Sequence, residues 1–153
     1  MVVFKHRYML FEIFVNLDRE GKGEDEVTFS EHGITLAIKQ SLEVNFGEYG
    51  LAASLNRLQV QYFNPITKLC VVRCLRREHQ KVWCAITLIT SIGRCSAFFN
   101  LLDLNGSIRA SRKYALKYDK AKFEQYKLMQ GDRQSEETLK LVYNCFEKLK
   151  NLA

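Results

Sequence analysis

The segment YMLFEIFV, Tyr8 to Val15, is apolar on both of its alternating sets. Tyr8, Leu10 and Phe14 fall on one side, and Met9, Phe11, Ile13 and Val15 on the other. A strand with no polar side is a central strand covered on both faces. The chain around it must therefore supply flanking strands in the same sheet and a covering layer on each side. With 153 residues, the chain buries roughly 70% of its unfolded surface as one domain, 1–153, and is too short for two ordinary ones.

Further segments answer that demand. Ser30 can cap a helix whose Ile34, Ala37, Ile38, Ser41 and Asn45 follow helical spacing, with Gly47 placed to end it. RLQVQYF (Arg57 to Phe63) alternates, NPIT holds the single proline and reads as a turn, and KLCVVRCL (Lys68 to Leu75) is a second buried strand. From Glu78, residues Val82, Ala85, Ile86, Ile89 and Ile92 repeat at helical spacing until Gly93, and CSAFFNLLDL (Cys95 to Leu104) is strand-like again. The order is β-α-β-β-α-β, so the expected class is α+β with a ferredoxin-like split βαβ arrangement: an antiparallel sheet in the order 4-1-3-2 with both helices on one face. Two further helices, about 107–129 and 135–151, are separated by QGDRQ and belong on the second face, which would otherwise be exposed.

The net charge of +6 is unevenly spread. Acids crowd DREGKGEDE (Asp18 to Glu26), whereas bases gather at Lys5–Arg7, at Arg73–Arg77 and between Arg109 and Lys127. On a helical wheel from Ile108, residues Ile108, Ala110, Ser111, Tyr114, Ala115, Tyr118 and Ala121 share one half. The other half carries Arg109, Arg112, Lys113, Lys117 and Lys120, with Leu116 and Phe123 among them and Glu124 as its lone acid. A solvated helix face usually mixes signs in i,i+4 pairs, so a one-sided basic stripe points to a polyanion. Gly106 and Ser107 precede this helix, whose first amides add donors for phosphate. If the first and third strands run parallel, Lys5, His6, Arg7 and Lys68 lie at the same end of the sheet as Arg109, Arg112 and Lys113, with the acidic loop opposite. The expected nucleic-acid contacts are therefore Lys5, His6, Arg7, Lys68, Arg109, Arg112, Lys113, Lys117 and Lys120. Phe98, Phe99, Leu116 and Phe123 are the expected contacts for a protein partner.

Catalytic signatures are missing from the chain. LNGSIRAS is not a Walker-type phosphate loop, and His6, His32 and His79 have no metal-ligand spacing. No catalytic residue and no metal site are expected. Glu12 faces the side of its strand where Arg73 is the expected neighbour, so a cross-strand ion pair is anticipated in place of a general base. The five cysteines contain no C-x-x-C and read as reduced thiols of an intracellular protein. MVVFKHRYMLFEIF lacks signal-peptide features, and no apolar run approaches the ~20 residues of a membrane span, so no membrane partner is expected. An acylphosphatase needs a phosphate cradle after its first strand, where this chain is acidic. KLCVVRCLR lacks the central-strand aromatics with which RNA-recognition domains stack bases, leaving backbone and shape as what an RNA would offer.

Three stretches, FKHRYMLFE, YFNPITKLCVVRCLRREHQKVWCAITLI and FFNLLDLNGSIRASRKYAL, occur in this order within residues 1 to 120. In these the chain resembles the family of small protein subunits shared by ribonuclease P and ribonuclease MRP, the fifth of the processing-of-precursor proteins. The resemblance implies a ferredoxin-like domain without catalytic residues of its own. It implies assembly with the family's partner, a subunit of roughly thirty kilodaltons with a TIM-barrel-like fold, and contact with the ribonuclease P or MRP RNA. That RNA performs metal-assisted phosphodiester hydrolysis, so Mg2+ is expected on the RNA and no cofactor on the protein. The particles remove precursor-tRNA 5′ leaders or cut precursor ribosomal RNA, so precursor tRNA is met indirectly and the location is the nucleus and nucleolus. Lys5, His6, Arg7 and Tyr8, with Ile108, Arg109 and Arg112, match the family's motifs position by position. A generic RNA-binding or scaffold module of another ribonucleoprotein is the alternative.

Overall fold

The computed structural model describes residues 4–16, 30–93, 95–130 and 136–152. The acidic stretch Asp18 to Glu26 and the QGDRQ connection, apart from Gln130, lie outside them. Five strands form one sheet: β1 (His6–Val15), β2 (Gln59–Phe63), β3 (Leu69–Leu75), β4 (Ser91–Ile92) and β5 (Cys95–Asn105), in the order β2-β3-β1-β5-β4. The helices are α1 (Glu31–Leu55), α2 (His79–Thr87), α3 (Ile108–Gln130) and α4 (Glu136–Lys150). With β5 as the fourth long strand, this is the expected 4-1-3-2 arrangement with a two-residue strand added outside it.

β1 is central, as its two apolar sides require. Met9, Phe11 and Ile13 pack with Ile34, Ile38 and Leu42 of α1 and with Val82, Ala85 and Ile86 of α2. On the other face Leu10 joins Tyr62, Leu69 and Val71 beneath Ala115 of α3 and Leu149 of α4. A third cluster of Phe123, Val142 and Phe146 holds α3 to α4, with the two phenyl rings edge to face at 6.1 Å. The C-terminal helices thus cover the second face, and the sheet is the middle of three layers.

One expectation about direction is overturned. β1 and β3 are antiparallel, from His6 opposite Leu75 to Glu12 opposite Leu69. The reason is topological: α1 returns the chain so that β2 runs with β1, and the turn at 64–68 then reverses it. Lys68 therefore lies at the opposite end of the sheet from Lys5, His6 and Arg7. There its carbonyl accepts from the Ile13 amide at 3.0 Å, its backbone is left-handed at φ 61, and burial lowers its pKa.

Local chemistry moves two helix ends. Ser30 caps α1 as expected, accepting from the Gly33 amide at 3.1 Å. Gly47, at φ 72 and ψ −178, interrupts this helix without ending it, and helical structure continues to Leu55 with Gly50 and Ser54 buried. α2 stops at Thr87 instead of continuing toward Gly93, because Ser91 and Ile92 pair with Ser96 and Cys95. Ile89 and Ile92 still reach the core.

α3 is seated by a buried carboxylate. Its inward line is Ser111, Ala115, Asp119 and Phe123, all buried, whereas Ala110, Tyr114 and Ala121 are exposed. Asp119 accepts from the hydroxyls of Tyr62 and Thr67 and from Asn64 Nδ2 at 3.2 Å. Asn64 Oδ1 in turn accepts from the amides of Ile66 at 3.0 Å and Thr67 at 3.3 Å, so the β2–β3 turn and the helix share one network. Burial raises the Asp119 pKa, opposed by these three donors.

Asp119→Ala strands buried hydroxyl and amide donors and should cost about 3 kcal/mol or more in urea unfolding, since each orphaned group carries roughly 1–3 kcal/mol. Because the folded pKa lies above the ordinary 3.8, wild-type stability should fall as pH rises from there through the folded value. Asp119→Asn should lose that pH dependence.

Candidate nucleic-acid interface

The start of β1, the end of β3, the end of β5 and the start of α3 meet at one end of the sheet. Arg7 lies opposite Cys74, and Tyr8 lies between Arg73 and Asn105. The Arg76 amide donates to the Lys5 carbonyl at 2.8 Å, which carries Arg76 and Arg77 next to the N-terminal bases. Arg57, in the corner between α1 and β2, joins them: its carbonyl accepts from Arg73 Nε at 3.3 Å, and its guanidinium sits 4.6 Å from the centre of the Phe4 ring. Of the residues here, Arg57, Arg73, Arg76 and Arg77 were not among the expected contacts. The basic run Arg73–Arg77 was visible in the sequence, but Arg57 carries no signal until the sheet pairing brings its corner beside β3.

The start of α3 belongs to this end. Ser107 caps the helix, its Oγ accepting from the Ala110 amide at 3.4 Å, and its own amide donates to Asn105 Oδ1 at 3.2 Å. Arg7 Nη1 donates to the His6 carbonyl at 3.0 Å and passes so close to Gly106 that a Cβ there would sit 3.0 Å from it. A side chain there would require the flexible end of Arg7 to move aside. Arg109 and Lys113 are exposed. Arg112 is used differently, donating from Nη1 to the Lys150 carbonyl at 3.1 Å and so capping the C-terminus of α4.

Most cations at this end have no counter-charge among the described residues. Among the described residues Lys5, Arg7, Arg57, Arg73, Arg76, Arg109, Arg112 and Lys113 make no ion pair. Arg77 approaches Glu78 at 4.0 Å. Glu12 does not pair with Arg73 as expected; it meets Lys122 of α3 at 3.0 Å. The reason is register, because Glu12 lies opposite Leu69 whereas Arg73 lies opposite Tyr8. The pKa of His6 is lowered by burial and by the fields of Arg73 and Arg57.

Other expected contacts lie elsewhere. Lys117 and Lys120 are exposed but farther along α3, Lys120 being about 18 Å from the helix start at 1.5 Å per residue. Phe99 and Phe123 are 5% and 2% exposed and belong to the core, which removes them as surface contacts. Alternation along β5 puts Phe99 against Phe11 and turns Phe98 outward. Phe98 stacks on Phe14 at 4.7 Å, both rings are about half exposed, and they border an open cleft of about 550 Å³ with Val15, Asn16, Thr90, Ser96 and Ala97. Leu116 is half-buried between the two helical clusters. This apolar end is roughly 27 Å from the basic one, eight residues along β1.

The model of the Rpp14/Pop5 family matches residues 7–116. The chain is 50% identical over 153 residues to the probable ribonuclease P/MRP protein subunit POP5 of Arabidopsis thaliana, covering 99% of each. It is 29% identical over 124 residues to the ribonuclease P/MRP protein subunit POP5 of Homo sapiens, covering 78% of this chain and 73% of that one. Among solved structures, a chain from the cryo-EM structure of yeast ribonuclease MRP aligns with 81% of this chain and 98% of its own length, at TM-score 0.48 and 12% identity.

Because Glu12 pairs with Lys122 and not with Arg73, the two cations differ in what they contribute to stability. Arg73→Ala removes one bond to a carbonyl and should cost about 0.5–1.5 kcal/mol in urea unfolding. Lys122→Ala leaves the largely buried Glu12 without its cation and should cost more, about 2–3 kcal/mol after allowance for the partial exposure of Lys122.

Proposed function

The chain belongs to the Rpp14/Pop5 family, and on that premise we propose that it serves as a non-catalytic protein subunit of the ribonuclease P/MRP ribonucleoprotein. The whole-length 50% identity to a relative named as such a subunit carries this reading. The basic end gives it a physical basis. Cations lacking acidic partners repel one another and are stabilised by a polyanion, and each phosphate they meet releases counterions.

In this reading Lys5, Arg7, Arg109 and Lys113 neutralise the backbone of the ribonuclease P or MRP RNA and hold its active fold, while the RNA and its Mg2+ perform the hydrolysis. The particle removes tRNA 5′ leaders and cuts precursor ribosomal RNA, which puts the protein in the nucleus and nucleolus. The opposite end, with Phe14, Phe98 and the cleft beside them, receives a protein subunit, for which the roughly thirty-kilodalton TIM-barrel-like member is our candidate.

Purification of the particle through a tag on this chain should recover ribonuclease P or MRP RNA; a particle devoid of both would overturn the proposal. Arg109→Ala with Lys113→Ala should lower the salt slope of binding to that RNA by about 0.7 to 0.9 per lost phosphate contact, with little change in melting temperature. Arg112 is left intact in this variant because its capping of α4 would mix a folding effect with a binding one.

A further inference from the structure

We infer that Arg57, Arg73 and His6 form a phosphodiester-binding subsite of their own, at the β2 corner of the basic end and distinct from the start of α3. The inference rests on the RNA-binding reading above and adds to it a place and a geometry.

Three separate segments of chain bring these groups together: the α1–β2 corner, the end of β3 and the start of β1. Arg73 is tethered through Nε to the Arg57 carbonyl, and its two terminal nitrogens have no partner among the described residues. Arg57 is held against Phe4 and makes no ion pair among the described residues. His6 Nε2 is buried and has no hydrogen-bond partner within the described structure. The two guanidinium groups therefore have unfilled hydrogen-bonding capacity, with the buried imidazole of His6 lying within their field, and guanidinium forks suit the paired oxygens of a phosphate. Such groups gather at a cost in mutual repulsion that an anion relieves.

The backbone under Arg57 points the same way. Its φ of 63 is left-handed, a region that glycine adopts freely and other residues only under strain. The position nonetheless carries an arginine, stacked on an exposed aromatic ring. Arg57, Lys5 and Arg76 are exposed, and a row of exposed cations suits a polymer backbone better than a small free phosphate enclosed on all sides.

Arg57→Gly separates binding from folding. It removes the cation and relaxes the backbone, so its urea midpoint should equal or exceed that of wild type. Its affinity for transcribed ribonuclease P RNA at moderate salt should fall about fivefold, with the salt slope reduced by about 0.7 to 0.9. Arg57→Lys should recover part of the slope. Addition of this RNA should also shift the His6 ring resonances of the full chain in wild type and less in Arg57→Gly.

If wild type binds the RNA, Arg109→Ala with Lys113→Ala weakens it and Arg57→Gly and Arg73→Ala do not, the subsite is wrong and the RNA-binding reading stands. If wild type does not bind the RNA at all, the broader reading fails and takes the subsite with it. Perturbation of His6 by inorganic phosphate at millimolar concentration, with none by RNA, would assign the site to a free anion and overturn the proposal.

Discussion

A single buried carboxylate decides where the basic end of this protein lies. Asp119 lies on the inward line of α3, a position where an apolar residue would have sufficed for packing. Instead it accepts hydrogen bonds from Tyr62 on β2 and from Asn64 and Thr67 in the following turn. Apolar contacts such as Ala115 on the sheet tolerate sliding and rotation. Donors directed at two oxygens do not, and they fix both the rotation and the axial position of the helix. Because α3 is anchored there, its first turn falls beside Arg7 and Gly106. The cost of burying the charge is visible in the raised pKa of Asp119, and what it secures is specificity of docking.

That docking divides the molecule into two ends with different chemistry. At one, strand termini and a helix start collect arginines and lysines from four stretches of sequence with few acids among them. At the other, Phe14 and Phe98 stack face to face across the β1–β5 pair. Antiparallel pairing is what makes this possible. Because β1 and β3 run in opposite directions, the end of β3, with Arg76 and Arg77 just beyond it, meets the start of β1, and the neutral NPIT turn goes to the far end. Lys68 goes with it. Parallel strands would have exchanged these, scattering the cations over both ends.

Much of the architecture was legible in the sequence because its signals are local. The two-sided apolar pattern of Tyr8 to Val15, the Ser30 cap, the NPIT turn and the alternation in the strands each state a conformation within a few residues. What was not legible depends on register and on tertiary choice. Glu12 and Arg73 share a face, but pairing Glu12 with Leu69 separates them, and only α3 supplies the Lys122 that Glu12 meets. The inward face of α3 was misjudged because a wheel ranks Asp119 as polar and Tyr114 as apolar, whereas the buried network reverses their positions. Phe98 and Phe99 are identical in composition and opposite in direction, a difference settled by strand alternation. Arg57 is the most instructive case, since an isolated basic residue after a helix acquires meaning only from the strand that comes to lie beside it.

The central strand also imposes an order on the making of the protein. β1 spans His6–Val15, yet its neighbours are residues 69–75 on one side and 95–105 on the other. Its most apolar stretch therefore has no sheet partner until residues 69–75 have been made, and no second one until residues 95–105. Pairing across such separations raises contact order and slows folding, because loop-closure entropy is lost before any contact compensates for it. An unpaired apolar strand is also a template for other chains. The same strand that centres the finished sheet is, until those partners arrive, an aggregation-prone segment that the fold itself does not yet protect.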